Sequence, residues 1–464
     1  IVLTDRLSTG NKQLDAILHG GLLKNAINLI VGIPGSGKTI LSQQVAFQNA
    51  TQERPALYLS TLSEPLDKII RYAESLQFFD REAIREGRIV YEDVGQVLEQ
   101  GLDDVIGTID RYLKEIKPAL VVIDSFRAFH AMAPDASYFR RFLYSLTRQL
   151  TAAATTSVWN APYSRAHAVD EAEFAVADAI IALDIKQVAE REVRVLQVMK
   201  LRGSGFQSGE HLYRVTDRGL AVFPRLADLQ DEARYELSPE RSESGIAALD
   251  DLLGGTGYWS GATTLIVGPS GVGKTLMGLH FLYHGAEVGE PGILATFQEN
   301  VSQLSRIVSS FGWSIDDKNV KMFSRSVVDL NIDEWVYDLL ALVEATDAKR
   351  VVIDSMADLA SAAGDTIRFR EWMFSLIQRC TRAGVSLMLT QEVAELFHLN
   401  RISQDAISHL ADNVVLLQYL REGAELARTV TVLKTRAMPH RPVVHRYEIT
   451  NEGFTLGDVL TPAP

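Results

Sequence analysis

Hydrophobic residues along the chain fall into short continuous runs separated by segments with helical spacing. In the first half, Ala26-Ile27-Asn28-Leu29-Ile30-Val31, Ala119-Leu120-Val121-Val122-Ile123 and Thr155-Thr156-Ser157-Val158-Trp159 are such runs. Their continuity suits strands buried on both faces of a parallel sheet. Phe139, Phe142, Leu143, Leu146 and Leu150 share one face of a helix. Phe369, Trp372, Met373 and Leu376 repeat that spacing in the second half. Strands alternating with helices predict an α/β fold with a mainly parallel sheet flanked by helices. Towards the end of each half, residues 193–201 and 429–435 predict strands of a more hairpin-like region.

The pattern occurs twice. Ser8-Thr9-Gly10, Leu14-Asp15 and Gly20-Gly21 return as Glu243-Ser244-Gly245, Leu249-Asp250 and Gly254-Gly255, at an offset of roughly 235 residues. Solenoid repeats run at about 20–50 residues, so this period means duplicated domains. The acidic, polar stretch 226–241, interrupted by Pro239, reads as the linker, with domains expected at 1–235 and 236–464. Composition narrows the class. The chain has 464 residues, 47% hydrophobic and 23% charged, which excludes disorder and collagen. Its net charge of −13, without a conspicuous basic run, argues against constitutive nucleic-acid binding. The single cysteine, Cys380, allows no intramolecular disulfide and reads as a small buried residue. No apolar run reaches the ~18 residues of a membrane span. The opening residues lack a signal-peptide pattern, so a cytoplasmic protein is the expectation.

The candidate chemistry sits after the first strand of each half. Gly32-Ile33-Pro34-Gly35-Ser36-Gly37-Lys38-Thr39 and Gly268-Pro269-Ser270-Gly271-Val272-Gly273-Lys274-Thr275 both fit G-x-x-x-x-G-K-[ST]. Glycines let backbone N–H groups turn inward around phosphate oxygens, and the following helix adds its positive end. Lys38 and Lys274 are placed for the β- and γ-phosphates, and the hydroxyls of Thr39 and Thr275 for Mg²⁺. Val121-Val122-Ile123-Asp124-Ser125 and Val351-Val352-Ile353-Asp354-Ser355 are apolar strands ending in an aspartate, the place of the acid that holds the Mg²⁺ shell. Candidates for orienting the attacking group are Ser63-Glu64 and Gln298-Glu299, each at the end of a strand following the P-loop helix. A helix N-terminal acid is the equally good bland reading of those carboxylates. Lys200-Leu201-Arg202 and Lys434-Thr435-Arg436 place two cations on one strand face, suited to a phosphate, including one bound by a neighbouring subunit.

Together these residues resemble the KaiC-like family of RecA-type ATPases, which includes clock ATPases of cyanobacteria. The P-loops, the Ile-Asp-Ser strands, Lys200-Leu201-Arg202-Gly203, Lys434-Thr435-Arg436 and residues 408–419 carry the likeness across essentially the whole chain. The resemblance implies two tandem RecA-like P-loop NTPase domains and a homo-hexamer of two stacked rings. It also implies ATP at subunit interfaces, with the Lys-x-Arg pair acting on the neighbour's nucleotide. A KaiB-like regulatory protein is the partner it suggests. The family carries two adjacent glutamates after the strand that follows the P-loop helix. Here Ser63 and Gln298 replace the first of each, while Glu64 and Glu299 match the second. Slow ATP hydrolysis is therefore expected in both rings, with Gln298 orienting water by hydrogen bonding. Ser408 matches the serine of the family's Ser-Thr phosphorylation pair, with His409 in the threonine's place, so Ser408 is the candidate phosphosite. The chain ends at Pro464, without the family's long C-terminal tail, so KaiA-type regulation is not expected. Two other readings stay open: an ATP-gated assembly scaffold with little turnover, and a RecA-type DNA-dependent ATPase.

Overall fold

The computed structural model describes residues 5–61, 66–168, 171–188, 191–226, 238–297, 301–328, 330–393, 407–436, 440, 442–451 and 453–460. The chain divides into two compact units, Ile1–Arg225 and Leu226–Pro464. The boundary expected at 235 lies outside the described residues.

The first unit is built on a sheet of nine strands: β1 (Ile27–Gly32), β2 (Ala56–Ser60), β3 (Ile89–Asp93), β4 (Leu120–Asp124), β5 (Thr156–Ala161), β6 (Ala179–Val188), β7 (Arg191–Leu201), β8 (His211–Thr216) and β9 (Gly219–Phe223). Their spatial order is β9-β8-β7-β6-β1-β5-β4-β2-β3. From β6 to β3 neighbouring strands are parallel, and from β6 out to β9 they are antiparallel. The second unit repeats this with β10 (Thr263–Gly268), β11 (Gly292–Thr296), β12 (Val320–Ser324), β13 (Arg350–Asp354), β14 (Ser386–Glu392), β15 (Asn413–Glu422), β16 (Glu425–Thr435), β17 (His445–Thr450) and β18 (Gly453–Val459). Its order, β12-β11-β13-β14-β10-β15-β16-β17-β18, matches the first strand for strand. Both units are thus α/β domains with mostly parallel mixed sheets.

The apolar runs explain the layering. Every residue of β1 and of β10 is buried, because helices cover both faces of the sheet centre. In the first unit the residues of β1 divide between two cores, Ile27, Leu29 and Val31 on one side and Ile30 on the other. The helix Ala136–Ala152 buries Phe139, Phe142, Leu143, Leu146 and Leu150, the stripe expected from its spacing. Its N-cap Asp135 accepts from the backbone N–H groups of Ser137 and Tyr138. The helix Thr366–Arg382 buries Phe369, Trp372, Met373, Leu376 and Cys380 in the same manner. The repeated Leu-Asp motif is a structural clasp. Asp15 accepts from Ser8 and Thr9 at 2.7–2.8 Å, and Asp250 accepts from the Ser244 N–H at 2.8 Å.

Candidate functional site

Each P-loop joins a central parallel strand to a helix, Lys38–Asn49 in the first unit and Lys274–Glu287 in the second. The turn demands glycine. Gly37 and Gly273 cap the helices at φ 95° and 106°, in the left-handed region where a side chain is strained. At Gly32 a Cβ would stand 2.3 Å from the Leu183 carbonyl oxygen, so close packing fixes that glycine as well.

Lys38 Nζ donates to the carbonyls of Gly32 (2.8 Å) and Ile33 (3.0 Å), and Lys274 Nζ to those of Gly268 (2.9 Å) and Pro269 (2.8 Å). Both ammonium groups therefore lie inside their loops. Burial lowers the pKa of each. Asp124 pulls Lys38 back up, and Glu392 and then Asp354 do so for Lys274.

Beside each loop a threonine meets the strand-end aspartate. Thr39 Oγ1 donates to Asp124 at 2.7 Å, and Thr275 Oγ1 to Asp354 at 2.5 Å. Asp124 ends β4 and Asp354 ends β13, the strands expected to carry them. The Asp–Ser peptide that follows is cis in both units. A hydroxyl and a carboxylate in contact are hard oxygen donors, the kind of pair that holds Mg²⁺ with the help of substrate phosphates. No group of three or more His, Cys, Asp or Glu gathers among the described residues. The donor set thus fits a phosphate-borne Mg²⁺ better than a cage made wholly by protein.

The partners of the two aspartates differ. Asp124 also accepts from the Tyr58 hydroxyl at 2.7 Å, whereas Leu294 holds the place of Tyr58 on β11. Asp354 instead accepts from Thr390 on β14, whose counterpart on β5, Asn160, donates to Ser42 at 2.8 Å.

Several supports escaped sequence reasoning. Tyr213 donates its hydroxyl to the Ser36 carbonyl at 2.6 Å, and Tyr447 donates to the carbonyl of Val272, the matching P-loop position. Both phenols are buried, and burial raises their pKa well above the ordinary value, which keeps them neutral donors. The repeat held the signal, since Tyr213-Arg214-Val215-Thr216 returns as Tyr447-Glu448-Ile449-Thr450. Glu392, 3.8 Å from Lys274 Nζ, was missed too. In the first unit a cavity of ≈ 480 Å³ opens beside the loop, lined by Thr39, Ile40, Gln43, Tyr72, Val215 and Asp217 among others.

The Lys-x-Arg pairs lie elsewhere. Lys200 Nζ donates to the carbonyls of Phe174 and Ala175 at 3.3–3.4 Å, and Arg202 pairs with Asp178 at 3.1 Å. Lys434 Nζ donates to the carbonyls of Ser408 (3.1 Å) and Ala411 (2.6 Å), while Arg436 reaches Asp412 (3.2 Å) and the His409 carbonyl (3.1 Å). Gly32 pairs with Leu183 on β6, but Lys200 pairs with Ile180, three residues back towards the start of that strand. At ~3.3 Å per residue the cations sit roughly 10 Å down the sheet from their own P-loop. The second unit repeats this, with Val267 opposite Leu416 and Lys434 opposite Val414. Ser408 lies in the short 3-10 turn Ile407–His409. Ser63, Glu64, Gln298 and Glu299 lie outside the described residues. No helix among the described residues is long and apolar enough to cross a membrane.

Fold and loops together define tandem P-loop domains of RecA-like architecture. More particularly, the chain belongs to the KaiC ATPase family, whose model matches residues 7–227 and again 242–459. The circadian clock oscillator protein KaiC of Rippkaea orientalis is 27% identical over 478 residues, covering 98% of this chain and 89% of its own. KaiC 1 of Synechocystis is 27% identical over 475 residues, with 98% and 89% covered. KaiC of Parathermosynechococcus lividus is 28% identical over 469 residues, with 97% and 85% covered.

Proposed function

We propose that the chain is a Mg²⁺-dependent ATPase, assembled as a homo-hexamer of two rings, whose slow hydrolysis drives a conformational signal to a KaiB-like partner. The observation that carries this reading is the repeated constellation: a lysine inside each P-loop, with a threonine bonded to the strand-end aspartate beside it.

In each site the backbone N–H groups of residues 35–39 and 271–275 cradle phosphate oxygens. Lys38 and Lys274 exchange their loop carbonyls for the β- and γ-phosphates. Thr39 with Asp124, and Thr275 with Asp354, hold Mg²⁺, which when bound neutralises charge developing on the phosphates. The cavity bordered by Ile40 and Val215 takes the nucleoside end in the first unit. Glu64, Gln298 and Glu299 orient the attacking water. The position of the Lys-x-Arg pairs, away from their own P-loops, supports action of Lys200, Arg202, Lys434 and Arg436 on a neighbouring chain's nucleotide. Ser408 is the candidate acceptor for autophosphorylation.

Ser63 and Gln298, which carry no charge where the family has glutamate, favour the scaffold as the second reading. Incubation with γ-labelled ATP and Mg²⁺ separates the readings. Released phosphate supports the ATPase, and label on Ser408 adds the kinase. Bound ATP with neither supports the scaffold. Mixing K38A/K274A chains with R202A/R436A chains tests action across the interface. Each population alone should be inactive, and mixed assemblies should regain turnover.

A further inference from the structure

Among the described residues, the second unit holds a strand-borne carboxylate beside its P-loop lysine that has no counterpart in the first unit. Strand β14 runs between β10, which leads into the P-loop, and β13, which ends in Asp354. The last residue of β14, Glu392, is in register with Gly268, where the P-loop begins. Its Oε2 lies 3.8 Å from Lys274 Nζ. The lysine side chain is 8% exposed and the glutamate side chain 46%, so the carboxylate spans from a buried ammonium to open solvent. In the first unit β5 ends at Ala161, opposite Val31, and Pro162 follows where Glu392 would stand. There Asp124 alone draws the pKa of Lys38 upward.

We propose that Glu392 is a catalytic carboxylate of the second nucleotide site, acting with Glu299 on the water that attacks the γ-phosphate, and that the corresponding strand of the first unit, β5, supplies no equivalent because Pro162 follows it. The inference rests on the reading of each P-loop as an ATP site. A P-loop lysine marks where the β- and γ-phosphates lie. A carboxylate in ionic contact with that ammonium, carried by the strand between the P-loop and the Asp354 strand, stands at the end of the phosphate chain. A water there donates one hydrogen bond to Glu392 and presents its oxygen to phosphorus. The new P–O bond forms as the bond from γ-phosphorus to the β–γ bridging oxygen breaks, and its electron pair leaves with ADP. The water's proton passes to Glu392 and then to solvent, leaving ADP, inorganic phosphate and the carboxylate restored. Gln298 cannot accept that proton in the same way. Glu392 therefore restores to the second unit the charge that Gln298 does not carry, whereas the matching position after β5 in the first unit is Pro162.

The test uses the full chain, with E392Q and E392D placed in the unmodified, K38A and K274A backgrounds. In the K38A chain, where only the second loop retains its lysine, E392Q should lower kcat at least about 10-fold while KM moves less than about threefold. E392D should recover part of the loss. In the K274A chain, E392Q should change nothing. Unchanged kcat in both the unmodified and K38A backgrounds overturns the proposal. So does an equal loss in the K274A chain, which would make Glu392 a structural tether. Should K38A fail to assemble, the effect of E392Q in the unmodified chain is set against its effect in K274A, and equal effects again overturn it. If the unmodified chain binds ATP and releases no phosphate, the ATPase reading itself fails and this role falls with it. Turnover that E392Q leaves untouched sinks only the role of Glu392.

Discussion

Two tyrosines on the antiparallel flank of the sheets hold the P-loops, and removing their hydroxyls isolates what that support contributes. Tyr213 reaches the Ser36 carbonyl at 2.6 Å from β8, and Tyr447 reaches the Val272 carbonyl from β17. Replacement by phenylalanine keeps each ring, so the stacking of Tyr447 on Phe454 at a centroid distance of 4.0 Å is retained. What is lost is a buried donor, and a carbonyl is left unpaired, at a cost of about 1–3 kcal/mol. With about 1.4 kcal/mol per factor of ten, that cost corresponds to a 5- to 150-fold weaker ATP affinity when it falls on the loop conformation that binds phosphate. Y213F in a K274A chain and Y447F in a K38A chain report one site each, by titration with a fluorescent ATP analogue. Affinity within about twofold of the parent chain in both cases would show that the loops hold their shape without the tyrosines, and the buttress argument would be wrong.

Three further outcomes are expected. The Ser36 hydroxyl is buried and has no partner among the described residues, and Val272 fills its place in the core of the second unit, so S36V should stabilise the first unit by about 1–2 kcal/mol, read by hydrogen exchange of its helix Lys38–Asn49. Arg350 is buried, paired with Glu290 at 2.6 Å and bonded to the carbonyls of Glu243 and Phe281, so R350A should cost about 3–5 kcal/mol, whereas R350L with E290Q, which restores the leucine found at 120, should cost much less by chemical denaturation. Burial lowers the His280 pKa from 6.5 to about 4, so the unfolded chain binds its proton first; up to about 3 kcal/mol of stability, full above pH 6.5, drains away as pH falls towards 4, and H280Q should flatten that slope in the second unit.

What could be read from the sequence was what depends on neighbours in sequence. The G-x-x-x-x-G-K-T spacing fixes a strand-to-helix turn within eight residues, and that turn stands where it was expected in both units. Continuous apolar runs gave the central strands, because burial on both faces leaves no room for alternation. The edge strands β3 and β12 were not anticipated, since their outer positions are partly exposed and their pattern is weak. Supports that cross the fold were also hidden. Tyr213 lies 177 residues from the carbonyl it holds, so no local pattern joins them. Comparison of the two halves would have flagged it through Tyr447. The same comparison could not flag Glu392, because there the repeat is broken by Pro162. Symmetry finds shared scaffolding and is blind to the residues in which the copies have diverged.

That divergence includes positions beside the strand-end aspartates and the P-loop strand. The scaffold is copied closely, down to Asp178 and Asp412, which each accept from the first N–H of the P-loop strand, Ile27 at 3.0 Å and Thr263 at 2.9 Å. Each also pairs with the arginine of its Lys-x-Arg segment, Arg202 at 3.1 Å and Arg436 at 3.2 Å. A continuous path therefore runs from those cations, through one carboxylate, to the strand that leads into the P-loop. The arginines are more than half exposed, and exposed ion pairs contribute little to stability, typically below about 1 kcal/mol. A weak pair is one that a phosphate can compete for at small cost. In the proposed hexamer, an arginine drawn to a neighbour's nucleotide would release the aspartate at the base of its own P-loop strand and so would link the state of one site to the frame of the next. Positions around the strand-end aspartates and the end of the strand beside the P-loop strand are not copied in the same way: Tyr58 against Leu294, Asn160 against Thr390 and Pro162 against Glu392. If both loops act as the proposed ATP sites, a shared framework with an added carboxylate, Glu392, at one of them would let the two sites turn over at different rates.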